Sequence, residues 1–208
     1  MRASRCADRA IGMERGWWRG AQVLALAAAL TAMLPGVAAA QGHSSRDGET
    51  APTARPEDVR SIDAIVAALY DVISGPAGAE RDWDRFRSLF LPGARLIPTG
   101  AGSDSVYGAT VLTVEEYIER AHDFLARNPF YEGELGRQTH RFGNIAELFS
   151  GYASRRAPGE APFVRGVNSI QLVFDGTRWW VATILWAQER PGLTLPPELS
   201  GQGAKPAP

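Results

Sequence analysis

The sequence predicts an α+β domain, and three observations carry that reading. Apolar residues at helical spacing fill the first half of the region that looks folded, and strand-like runs fill the second. An Asp175-Gly176 pair joins the last two of those runs as a hairpin. The final run, residues 178–188 (RWWVATILWAQ), is apolar on both alternating faces, as in a sheet covered on two sides.

Pro56 opens the first helix, with Val59, Ile62, Val66, Leu69 and Ile73 on one face and Ser74-Gly75-Pro76 as the stop. Asp82 is the expected N-cap of a short second helix that turns Trp83, Phe86, Leu89 and Phe90 inward, with Pro92-Gly93 at its end. Residues 94–97 are compatible with a strand, and 100–104 with a loop. Thr113 and Glu116 form a capping box for a third helix, Leu112 and Tyr117 a hydrophobic staple, and Asn128-Pro129 a terminator. Strands are then expected over 131–140, 145–155, 164–174 and 178–188, an antiparallel meander turning at Phe142-Gly143-Asn144 and at Asp175-Gly176. Strict alternation on the last strand puts Trp180, Ala182, Ile184 and Trp186 on one side, and Trp179, Val181, Thr183 and Leu185 on the other. The helices cover one face of this sheet. A second subunit is the economical cover for the other, so a homodimer is expected.

The ends read differently. Arg15 and Arg19 precede an apolar run, residues 21–34, then Pro35-Gly36 and the small-residue stretch Val37-Ala38-Ala39-Ala40. That is the order of a secretory signal peptide, residues 1–40, cut near Ala40, and it implies an exported protein, periplasmic or secreted. The run is shorter than the ~20 apolar residues of a good membrane span, so no membrane attachment is expected after cleavage. Met13 is an alternative start to Met1. Residues 41–55 read as a flexible linker, 56–191 as the folded domain, and 192–208 as an extended or disordered tail.

Hydrophobic residues make up 45% of the 208 and charged ones 22%, a globular balance. Beyond Ala40 the chain has 17 basic and 21 acidic residues, with Lys205 its one lysine and no cationic cluster, which argues against a nucleic-acid partner. Cys6, the sole cysteine, lies in the expected signal, so the mature chain holds no disulfide and no thiolate. No His and carboxylate pair falls at ligand spacing, and there is no Gly-rich phosphate loop; neither a metal nor a cofactor is expected.

Several stretches then take on a shared likeness. They are Trp83-Asp84-Arg85-Phe86-Arg87-Ser88-Leu89-Phe90 with Pro92-Gly93-Ala94; Arg141-Phe142-Gly143-Asn144-Ile145-Ala146; and Gly166-Val167-Asn168-Ser169-Ile170-Gln171-Leu172 with Asp175-Gly176 and Trp179-Trp180. Over residues 56–191 the chain resembles the SnoaL-like, polyketide cyclase-type branch of the nuclear transport factor 2-like superfamily. The resemblance implies a cone-like curved antiparallel sheet wrapped on three N-terminal helices, enclosing a cavity. Enzymatic members place an acid or base in that cone; many small members carry a His pair on the last strand, where this chain has Thr183 and Leu185.

Two residues stand as catalytic candidates. His140, at a strand end, reads either as a general base or as a turn residue. Asp84 reads either as a group at the cone mouth or as a first-turn acid complementing the helix dipole. The candidate pocket lining is Tyr70, Trp83, Phe86, Tyr117, Asn168 and Trp186. Asn168 shares a strand face with Ile170 and Leu172, so its amide needs a partner, which is either a ligand or a structural bond to Tyr70 or Tyr117. Three functions fit: an exported domain binding a small apolar molecule; a cofactor-independent isomerase, dehydratase or cyclase; or a dimeric interaction module with a filled cavity.

Overall fold

The computed structural model describes residues 51–101 and 106–201. These fall in the unit Gly48–Pro208; the unit Met1–Asp47 lies outside the described residues, as do the expected signal peptide, residues 41–50 of the expected linker, loop residues 102–105 and the chain end, 202–208.

The helix expected from Pro56 is two helices, α1 (Pro56–Val59) and α2 (Ile62–Ile73). Ser61 breaks the run by taking an extended conformation and capping α2, its hydroxyl accepting the Ala64 N–H at 3.1 Å. Asp82 caps α3 (Trp83–Ser88) as expected, accepting the Arg85 N–H at 2.9 Å. Arg85 in turn holds α3 to both earlier helices. Its guanidinium grips the buried Asp58 through two bonds of 2.8 and 2.9 Å and reaches Asp71 at 2.5 Å. That bidentate contact keeps the Asp58 carboxyl below the usual range despite burial.

Strand β1 (Phe90–Ala101) is longer than the expected 94–97 and starts before Pro92-Gly93, which sits inside it where its register with β6 shifts. A short strand, β2 (Tyr107–Ala109), pairs with its end and has no counterpart in the sequence reading. Helix α4 (Val114–Arg127) carries both bonds of the Thr113–Glu116 capping box. The meander follows as β3 (Tyr131–Phe142), β4 (Ile145–Arg155), β5 (Val164–Phe174) and β6 (Trp179–Gln188). The six strands form one sheet in the order β2-β1-β6-β5-β4-β3.

Four features differ from expectation. The sheet is mixed and not purely antiparallel: the excursion through α4 and the meander returns β6 beside β1 in the same direction. Among the described residues four helices, not three, precede the meander. Two bulges shift the register, one at Leu135 in β3 and one at Ala182 in β6. Each sets two residues against one, so each exchanges the faces of the residues beyond it. Trp179 and Val181 therefore share the inner, helix-covered face with Ile184 and Trp186, whereas Leu185 points outward.

The fourth difference is the tail. Through residue 201 it is a packed segment: Pro197–Leu199 forms a 3₁₀ turn on the outer face, and Leu199 is only 1% exposed. Gly136 and Gly151, paired across β3 and β4, make the slot it occupies. A Cβ at Gly136 would lie 2.7 Å from the Glu198 carbonyl oxygen, and one at Gly151 would collide with that of Leu199. Gly151→Ala is therefore expected to lift the turn off the sheet and cost about 1–3 kcal/mol, the range for overpacking a filled site. Denaturant midpoints of the variant and parent check it; an unchanged midpoint refutes the slot.

Candidate functional site

The inner face gathers a set of polar residues, two of which, Glu132 and Glu134, reach it through the bulge at Leu135. From β3 come Glu132 and Glu134, from β4 Ser150, Tyr152 and Ser154, from β5 Asn168, and from β6 Trp186. Helix α2 lowers Tyr70 onto them. The Asn168 Nδ2 donates to the Tyr70 hydroxyl at 3.0 Å, and Tyr70 and Ser150 share a 2.8 Å bond. Ser150 also donates to Glu134 Oε1 at 2.6 Å. Ser154, four residues further along β4, donates to Glu132 Oε2 at 2.6 Å.

An aromatic wall faces this polar floor. Tyr117 of α4 stacks on Phe86 of α3, centroids 5.3 Å apart, and meets Trp186 edge-on at 6.1 Å. Tyr152 lies across Gly166 of β5, where a Cβ would fall 2.6 Å from its hydroxyl. Tyr70, Tyr117, Tyr152 and Glu132 thus converge.

Burial pushes the Glu132 carboxyl from 4.5 up to about 7, with the Ser154 hydrogen bond offsetting part of the effect. Burial also raises the Tyr117 and Tyr152 hydroxyls far above their ordinary range, and the Glu132 carboxylate adds to both shifts. Yet Glu132, Tyr117, Asn168 and Trp186 all keep accessible surface. Solvent therefore reaches part of the inner face around these four residues.

Of the expected pocket residues, Tyr70, Phe86, Tyr117, Asn168 and Trp186 meet here, with Phe86 fully packed behind Tyr117. Asn168 has its partner in Tyr70, one of the two structural bonds anticipated for it. Trp83 sits behind Phe86 and lines a separate hollow of ≈ 210 Å³ with Arg81 and His122. The two catalytic candidates lie elsewhere. Asp84 has 81% of its side chain exposed and pairs with Arg87 at 2.9 Å, the behaviour of a helix-start acid. His140 is exposed near the outer end of β3, opposite Glu147. Glu132 was missed because counting back from the Gly143 turn places it on the outer face; the bulge at Leu135 brings it inward.

No family model matches the chain, and no curated protein matches it by sequence. Solved structures similar to it include an NTF-2-like protein of unknown function from Silicibacter pomeroyi (13% identity, TM-score 0.45), covering 62% of this chain and 94% of that one. A protein of unknown function with a cystatin-like fold from Nostoc punctiforme is 11% identical with TM-score 0.47, covering 62% and 88%. A proposed ketosteroid isomerase from Parabacteroides distasonis is also 11% identical with TM-score 0.44, covering 63% and 90%.

The Glu132 shift has a measurable sign. Between pH 4.5 and about 7 the folded state keeps the Glu132 proton while the unfolded chain has lost it. Folding stability is expected to fall as pH rises through that window and to level off above it, and Glu132→Gln removes that component. Denaturant midpoints at half-unit pH steps check it; identical profiles for the parent and the variant contradict the assignment.

Proposed function

We propose that the chain is an exported small-molecule-binding domain whose cleft takes a mainly apolar molecule carrying one or two polar groups. The observation that carries this reading is the enclosed yet accessible set Glu132, Tyr117, Asn168 and Trp186, an apolar wall with a few convergent polar groups. Export rests on the signal-like pattern of residues 1–40, and it predicts a mature N-terminus at Gln41 by intact mass.

A second reading is supported by a separate observation. A carboxyl near pH 7 beside tyrosine hydroxyls has the make-up of a general base facing an oxyanion donor, with no cofactor required. Glu132 would take the proton, and Tyr117 or Tyr152 would stabilise the developing charge. Native mass spectrometry of gently purified protein, followed by a screen of small alicyclic and aromatic molecules, separates these readings from a filled interaction module. Retained or added ligand that is lost with Tyr117→Ala supports binding. Turnover that falls by about 10²–10⁴ in Glu132→Gln, with binding kept, supports catalysis. If no ligand is retained or bound, the interaction module stands alone.

Self-association belongs to the same proposal. Phe149 and Leu185 flank Ser169 in one row across the outer face, 44% and 38% exposed, with Ile145 nearby at 52%. Exposed apolar side chains grouped on a sheet face favour a second copy as their cover. Phe149→Glu is expected to give a monomer by sedimentation velocity where the parent is a dimer; a monomeric parent refutes the dimer.

A further inference from the structure

Each hydroxyl carries one proton, and that fact orients the polar floor of the cleft. Glu134 presents a carboxylate to Ser150 at 2.6 Å, with the Arg137 guanidinium 3.8 Å from the same oxygen. A carboxylate only accepts, so the single Ser150 proton is committed to Glu134. In the 2.8 Å bond between Tyr70 and Ser150, the serine oxygen must then accept, and Tyr70 donates. With its own proton spent, the Tyr70 oxygen accepts from Asn168, whose NH₂ faces it at 3.0 Å. The amide orientation follows from this accounting: Asn168 Oδ1 is turned away from Tyr70. It has no protein partner among the described residues, and Asn168 keeps accessible surface on the inner face beside Trp186.

We infer that Glu134 acts as a positioning residue that sets the direction of the Asn168–Tyr70–Ser150 chain, so that the cleft offers a carbonyl oxygen and selects ligands that bring a hydroxyl donor to Asn168. This rests on the small-molecule-binding reading of the same cleft. Glu134 reaches the ligand through three intervening groups. Without its pull, Tyr70 is free to donate to Asn168 Oδ1; the amide then turns over and presents NH₂, which suits a ketone.

The test uses two shape-matched probes, cyclohexanol and cyclohexanone, titrated into the purified protein and followed by ¹H–¹⁵N NMR. The alcohol is expected to bind about three- to tenfold more tightly than the ketone, the span of one good hydrogen bond. Ser150→Ala, which leaves Asn168 as the only acceptor for Tyr70, is expected to abolish or reverse that preference while both probes still bind. Glu134→Ala acts in the same direction, and its peripheral position guards against misfolding of the buried Ser150 variant. In the parent, one Asn168 side-chain amide proton should exchange slowly because Tyr70 holds it. Equal affinities in the parent, a preference untouched by either variant, or a rapidly exchanging Asn168 amide overturns the inference. If neither probe shifts Asn168, Tyr117 or Glu132 resonances, the binding reading fails and the selectivity with it, even where the slow amide shows the chain itself to be intact.

Discussion

The hydroxyl of Tyr70 is the contact on which the arrangement of helices and sheet depends. It lies on a buried helix face, so its polar atom must be matched inside the protein or cost about 1–3 kcal/mol. Its partners, Ser150 and Asn168, sit on two adjacent strands in register with one another. Apolar packing alone tolerates a helix that slides by a fraction of a turn. A hydroxyl shared between two strands does not, because a small shift breaks both bonds. With α2 set in this way over β3, the rings of Phe86 and Tyr117 pack beside it against Phe90 of β1 and Trp186 of β6.

Glu132 belongs to that gap and is an awkward residue for stability. A carboxyl enclosed by protein is disfavoured in its charged form, and the hydrogen bond it receives from Ser154 only partly compensates. The contrast with Asp58 is instructive. That carboxylate is also buried, but Arg85 grips it bidentately and its pKa falls. One acid is neutralised by a cation and ties helices together; the other has no ion-pair partner among the described residues and lies near tyrosines. Structural acids are built like Asp58. An acid built like Glu132 loses stability as the pH rises toward neutrality.

Much of the fold was legible because its signals are local. The Thr113–Glu116 capping box, the Asp82 cap and the Asp175-Gly176 hairpin each depend on residues within a turn of one another, and each forms as read. The bounds of β4 and β5 followed from alternation for the same reason. What escaped was non-local. Ser61 breaks the first helix through a cap that a continuous apolar stripe conceals. The pairing of β1 with β6 joins residues roughly ninety apart. The packing of the tail depends on two glycines paired across β3 and β4, far from it in sequence, and composition alone made it look unstructured.

The site was obscured by a more specific cause. Face assignment along a strand is a parity count, and a single extra residue inverts every assignment beyond it. Two bulges do this here, at opposite margins of the cleft. The one at Leu135 turns Glu132 and Glu134 inward, opposite Ser154 and Tyr152; the one at Ala182 turns Trp179 and Val181 inward to complete the apolar floor of β6. Without the first, Glu132 would lie opposite Arg155 on the outer face, an ordinary edge-strand acid. Without the second, Trp179 would meet solvent or a partner. Bulges concentrate beside functional sites because they re-aim side chains without altering the rest of the ladder. The carboxyls of this face are thus a product of an irregularity: Ser150, Tyr152, Ser154 and Asn168 share it by regular alternation, and Glu132 and Glu134 join them only through the bulge at Leu135.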